Sequence, residues 1–233
     1  MRWDFDGNGS WDTGWDYDKT ENHQYSSENT YTAKLEVKDT EGLTDQYTKS
    51  ITVNNGGGSG TFTDPRDGQT YNTVEIGSQT WFAENLNYET SNSWWYDNSS
   101  ANGDVYGRLY TWNAALTACP SGWHLPSDDE WTILSDFLGG ESVAGGKMKE
   151  TGTAHWNSPN TGATNSSGFT GLPGGNRGSS GSFFSLGYDG HWWSSTEYSG
   201  THAWHRSLYY DHDRVYRNTS HKTLGFSVRC LKD

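Results

Sequence analysis

Residues 203–210 alternate strictly, with Trp204, Arg206, Leu208 and Tyr210 on one parity and His205, Ser207 and Tyr209 on the other. A period of two belongs to an extended strand. Only the first set contains good core formers, so the pattern predicts a strand with Trp204 inside and His205, Ser207 and Tyr209 facing out. Phe226, Val228 and Cys230 alternate with Ser227 and Arg229 in the same way. Residues 191–230 therefore read as short antiparallel strands joined by polar turns at Ser199-Gly200-Thr201, Tyr210-Asp211-His212 and Asn218-Thr219-Ser220-His221. Around a framework of Trp193, Trp204, Val215, Phe226 and Val228 lies a scatter of His, Tyr, Asp, Asn, Thr and Ser. Contact surfaces have that chemistry, rigid aromatics supplying area and small polar groups adapting. Plain solvated loops have it too.

Such strands need a core, and aliphatic side chains are scarce. The 13 Trp, 14 Tyr and 8 Phe supply large apolar areas instead, so the chain is expected to fold rather than remain disordered. With 29 Gly and few helical periods, short strands, turns and long ordered loops should outweigh helix. The 233 residues suffice for one large domain or two modest ones. A net charge of -13 opposes binding to a phosphate backbone, which argues against nucleic acid. No window is long and apolar enough for a membrane span, and Met1-Arg2-Trp3-Asp4 is too polar for a secretory signal, so a mature fragment or another export route is expected. The two cysteines, Cys119 and Cys230, suggest by parity a disulfide, worth about 4 to 5 kcal/mol for so long a loop. Two buried thiols are the alternative.

Residues 1–53 read as a first domain. Tyr31, Ala33, Leu35 and Val37 form the apolar face of one strand, Ile51 and Val53 end a second, and Glu41-Gly42 turns the chain between them. The order Trp3-Asp4-Phe5, then Tyr25, then TYTAKLEV and a closing Ile51-Thr52-Val53 resembles the polycystic-kidney-disease (PKD) repeat, an immunoglobulin-like β-sandwich of extracellular proteins. That family has two strands before its Trp-Asp-Phe block, where this sequence starts. The resemblance therefore implies a partial sandwich whose open sheet edge is met by a missing part, by the second domain or by self-association. Asp4, Asp6, Asn8 and Gly9, continued by Ser10 and Asp12, match the first half of an EF-hand-type calcium loop, with hard oxygens at alternate positions and Gly at the sixth. Trp15 stands where that loop needs a bidentate Glu, with Asp16 beside it. Calcium is the one cofactor expected, and an Asp/Asn/Gly-rich hairpin is the alternative.

Residues 54–60, Asn-Asn-Gly-Gly-Gly-Ser-Gly, read as a flexible linker to a second domain at 61–233. Tyr71, Val74 and Ile76 before Gly77-Ser78 predict a hairpin. Leu109, Trp112, Ala115 and Leu116 predict a helix over 105–118. Ser127 and Glu130 form a capping box for a second helix, with Trp131, Leu134, Phe137 and Leu138 as its buried stripe and Gly139-Gly140 as its stop. The blocks DPRDGQTY, VEIGSQTWFAENLNY, CPSGWHLPSDDEW, GFTGLPGG, WWSSTE and GFSVRC, in that order, are similar to the signature of the Fibrobacter succinogenes major paralogous domain. That family looks like a branch of the C-type-lectin-like fold, related to formylglycine-generating enzymes and to the variable proteins of diversity-generating retroelements. The resemblance implies an α+β fold: two helices on short antiparallel sheets with long ordered loops, preceded by the partial sandwich.

In such variable proteins the last strands and turns form the mutated ligand-binding face. The resemblance thus implies an extracellular, cell-surface or phage-borne adhesion module that recognises a surface protein or glycan of another cell or host. The candidate contacts are His191, Thr201, His202, His205, Ser207, Tyr209, Tyr210, Asp211, His212, Asp213, Asn218, Thr219, Ser220 and His221. Adenine-directed mutation of AAC and AAT codons yields largely these letters. Two other classes compete. A formylglycine-generating-type enzyme needs a reactive cysteine pair, whereas Cys119 and Cys230 sit where a structural bridge is expected, so catalysis is not predicted. A zinc site from His202 and His205 with His212 or His221 fails because residues three apart on a strand face opposite ways. The third class is a fibre subunit assembled through the open N-terminal edge. Within the binding class, Trp95, Trp156 and Trp192 are candidates for stacking on sugars, although the lectin calcium motifs Glu-Pro-Asn and Trp-Asn-Asp are absent.

Overall fold

The structure is a computed structural model, and it describes residues 1–18, 20–23, 25, 29–53 and 59–233. The chain divides into two compact units, Met1–Asn55 and Gly56–Asp233. Of the expected 54–60 linker, residues 54–58 lie outside the described residues. Ser59 and Gly60 are not linker: they open a strand paired with Val74 and Thr73.

The first unit is one antiparallel sheet in the order β1 (Arg2–Asp4), β2 (Asn29–Lys38), β3 (Thr44–Val53). Rings rather than aliphatics cover it. Phe5 stacks on His23 at 4.1 Å and Tyr25 on Tyr31 at 4.2 Å. The Arg2 guanidinium lies over Trp11 and Trp15 at 4.1 and 4.6 Å. Of the predicted apolar face, Ala33 is buried but Val37 is exposed. Beside Val37 the buried position is Glu36, which accepts from Arg2 Nε at 2.6 Å and Gln46 Nε2 at 2.8 Å. A second facing sheet is not found among the described residues of this unit.

The second unit is mixed α and β. Its five-stranded sheet runs β4-β5-β6-β16-β9, from β4 (Ser59–Thr63), β5 (Thr70–Ile76), β6 (Gln79–Phe82), β9 (Trp123–His124) and β16 (Leu231–Lys232). The six-stranded sheet runs β14-β13-β12-β15-β8-β7, from β7 (Ser93–Trp95), β8 (Arg108–Tyr110), β12 (Asp189–Glu197), β13 (His202–Tyr209), β14 (Tyr216–His221) and β15 (Phe226–Ser227). A two-stranded ribbon of β10 (Asn176–Arg177) and β11 (Phe183–Phe184) bridges to the six-stranded sheet beside β15, at Gly225. The predicted hairpin is β5–β6, closed by Ile76 opposite Gln79.

The helix expected over 105–118 does not form as one element. It is split into α1 (Ser100–Tyr106), strand β8 and the single turn α2 (Trp112–Ala115). Gly107 breaks it at φ 69°, where a Cβ would lie 2.8 Å from the Leu86 carbonyl. Beyond that break Leu109 pairs with Ser227 in the sheet rather than continuing a helical stripe. The second predicted helix is α3 (Asp128–Phe137), its Ser127–Glu130 capping box formed. Trp131, Leu134 and Leu138 are buried as expected, whereas Phe137 is exposed and leans over the Gly77 turn. A further helix, α4 (Glu141–Met148), follows directly.

The core is aromatic: Trp81, Trp131, Trp156, Trp192 and Trp193 are all essentially inaccessible. Trp156 and Trp192 are therefore unavailable for sugar stacking, and Trp95 is half covered by Arg108 at 4.2 Å. The buried pair Asn85 and Arg229 is satisfied within this core. Asn85 Oδ1 accepts from Trp192 Nε1 and Arg229 Nη2, while Arg229 Nη1 donates to the Phe82 and Phe169 carbonyls. Cys119 and Cys230 are disulfide-bonded, fastening the segment after α2 to the residue before β16. Among the described residues no helix is long and apolar enough to cross a membrane.

Candidate ligand-binding pocket

In-register pairing of β12, β13 and β14 decides which side chains share a face. His191 lies opposite Ser207, Trp193 opposite His205, and His205 opposite Asn218. Alternation then puts His191, Trp193, His205, Ser207, Tyr209, Asn218 and Ser220 on one side. Trp192, Trp204, Arg206, Leu208, Arg217, His202 and His221 fall on the other, which is the side α3 covers. There Asp128 receives Arg206 at 2.5 Å and Arg217 at 2.7 Å, and Arg217 lies 3.5 Å over Trp204. Burial pushes the Asp128 carboxyl up, but hydrogen bonds and charge from Arg217 and Arg206 outweigh it and hold it below the usual range.

The predicted alternation of β13 is thus the observed one, but its predicted inside and outside are not, which is the first of two corrections. His205 and Ser207 were expected to be exposed, and both are buried. The cause is Phe226 of β15, which shares their face and packs 4.7 Å from His205, 4.9 Å from His191 and 4.4 Å from Trp193. Trp204, expected in the core, is only half-buried beneath Arg217. The second correction concerns 218–221, which are not a turn but most of β14, a full partner of β13.

What this face encloses is an open pocket of about 400 Å³. Six predicted contacts border it: His191, His205, Tyr209, Asn218, Thr219 and Ser220. Asn176, Leu224 and Phe226 complete it. Sequence gives no pointer to Asn176, which arrives from β10 through pairing of Arg177 with Gly225. A hydrogen-bonded chain runs under the pocket: Ser220 Oγ to His205 Nε2 at 3.1 Å, His205 Nδ1 to Ser207 Oγ at 3.3 Å, and Ser207 Oγ to His191 Nδ1 at 2.9 Å. Burial, reinforced by the neighbouring His191, pushes His205 down to about 3, so it is a neutral imidazole at pH 7. Burial also raises the Tyr209 hydroxyl above its ordinary value.

The remaining predicted contacts are elsewhere. His202 and His221 meet across β13 and β14 at 5.4 Å on the opposite face, with Thr201 bonded to His202 Nδ1. Tyr210, Asp211, His212 and Asp213 form the β13–β14 turn. There Asp211 accepts from or is paired with His212 at 2.7 Å, and Tyr210 packs on Tyr188 at 5.3 Å. In the first unit, single oxygens of Asp4, Asp6 and Asp12 lie within 4.8 Å of one another. The other two predicted ligands close the turn itself: the Asn8 amide donates to Asp6 Oδ2, and Asn8 Oδ1 accepts from the Ser10 backbone. Internal bonds of that kind make a stable Asp/Asn turn with or without an ion.

The model of the Fibrobacter succinogenes major domain matches residues 74–232. The chain belongs to that family. The matched span covers the whole pocket and the disulfide, and it leaves the acidic turn of the first unit outside. No curated protein and no solved structure matches the chain. For this member of the Fibrobacter succinogenes major domain family, function is therefore argued from the pocket.

Proposed function

We propose that the chain is a ligand-binding module of a cell surface, a secreted protein or a virion, with a C-type-lectin-like second unit presenting its contacts on β12 to β15. One observation carries this reading: of the residues picked out as contact chemistry, His191, His205, Tyr209, Asn218 and Ser220 share one sheet face and one pocket, over the buried rings of Trp193 and Phe226. The same geometry speaks for binding over catalysis. Ser207 is fully buried, and although Ser220 borders the pocket with its hydroxyl 3.1 Å from His205 Nε2, His205 Nδ1 meets Ser207 rather than a carboxylate, so the pair lacks the third group that orients a catalytic base. The disulfide suits an oxidising, extracellular setting. The separation of a buried framework from polar contacts is also what adenine-directed diversification would exploit, and a near-copy of the coding DNA beside a reverse transcriptase gene would mark it.

The test is binding of labelled protein to candidate host or bacterial surfaces. Tyr209→Ala, which strips one wall of the pocket, should weaken binding at least tenfold. Asp211→Ala, in the exposed turn outside the pocket, should leave binding close to that of the parent. Equal binding by the Tyr209 variant and the parent, with both folded, would remove the reading.

A further inference from the structure

Resting on that binding reading, we infer that the pocket takes an uncharged sugar residue of a glycan, its hydroxyls paired by the carboxamides of Asn176 and Asn218. Three observations lead there. First, none of the residues bordering the pocket is Asp, Glu, Lys or Arg. Its one deeply buried titratable group, His205, stays neutral. A charged ligand would find no counter-charge there, and a net charge of -13 adds a long-range penalty for anions.

Second, the two carboxamides are half-buried, and neither makes a hydrogen bond among the described residues. Each offers two donors and an acceptor from one planar group, which matches adjacent hydroxyls on a ring. Most other polar groups of the face are already engaged, His205, Ser207 and Ser220 with one another. Recognition therefore falls to the two amides and to the Tyr209 ring. Third, His191, Tyr209 and Phe226 give the pocket aromatic surface against which the C–H face of a sugar packs. His191 and Tyr209 stand perpendicular at 6.2 Å, and His191 lies flat on Phe226. Only Leu224 and Phe226 of the lining lack a polar group, which suits a polyol better than an aliphatic side chain.

The experiment uses the full chain on immobilised neutral oligosaccharides and on sialylated or sulfated forms of the same cores, with methyl hexosides as soluble competitors. Neutral glycans should bind and acidic ones should not. Asn176→Ala and Asn218→Ala should each weaken binding about tenfold, the effect of losing one to two hydrogen bonds in a desolvated site, with melting temperatures near that of the parent. Preference for acidic glycans, or neutral binding untouched by both variants, overturns the inference. If cells are bound through Tyr209 but periodate treatment of those cells changes nothing and hexosides do not compete, the sugar assignment fails while the binding reading stands.

Discussion

His205 shows how one residue records the packing around it. Its folded value of about 3 lies below the 6.5 of the free side chain. Between those two values the unfolded chain holds a proton that the folded chain does not. Stability is therefore fully present above pH 6.5 and is lost as pH falls toward 3, at up to about 1.4 kcal/mol per pH unit for this one group. Thermal melts of the parent should decline through that window. His205→Gln, which keeps a hydrogen-bonding group toward Ser207 or Ser220, should flatten the slope, and an unchanged slope would assign the acid sensitivity to other groups. The residue was legible only in part. Parity grouped it with Ser207 and Tyr209 as observed but called that side exposed, and nothing local in the sequence says that Phe226, far along the chain, will cover it. Asn176 was illegible for the same reason, since its position is set by a ribbon bridging to Gly225.

Among elements, those whose signal is local were read correctly and those whose signal depends on partners were not. The α3 cap is a four-residue motif, and the β5–β6 turn needs only Gly77 at positive φ. By contrast, apolar spacing over 105–118 fitted a helix by number alone, and close approach of residues 85 and 86 to Gly107 decided otherwise. Strand β14 is so polar that its residues looked like a turn, yet a polar strand is stable where β13 supplies its ladder. The β13–β14 turn is positioned by α4 in a way that admits a direct test. Gly146 donates to the Asp213 carbonyl at 2.7 Å, and a Cβ there would come within 2.3 Å of the Gly162 carbonyl. The buried Lys149 just beyond α4 donates to the carbonyls of Thr161, Tyr209 and His212. Gly146→Ala should cost about 1 to 3 kcal/mol through backbone displacement and should weaken ligand binding by shifting Tyr209. Calorimetry and hydrogen exchange over 209–214 measure both, and normal protection there would show that α4 does not hold the turn.

At the scale of the whole molecule, the disulfide closes a loop spanning 111 residues of sequence. Reduction, or replacement of both cysteines by Ala, should lower the stability of the second unit by about 4 to 5 kcal/mol in the chain-entropy account. Denaturant titration with and without reductant reads this directly, and a loss below about 1 kcal/mol would mean that packing around Cys230 supplies the constraint. The bond fastens a stretch with an unusual place in the fold. Strand β15 sits inside the six-stranded sheet between β12 and β8, and β16 sits inside the five-stranded sheet between β6 and β9. Residues 226–232 are thus the keystone of both sheets, and they follow in sequence every strand they join. Until they have been made, β8 and β12 have nothing between them, and β9 has no neighbour to join it to β6. The second unit consequently cannot complete either sheet before those strands have been made. Both sheets are therefore completed together, in one late step that also brings Cys230 to Cys119.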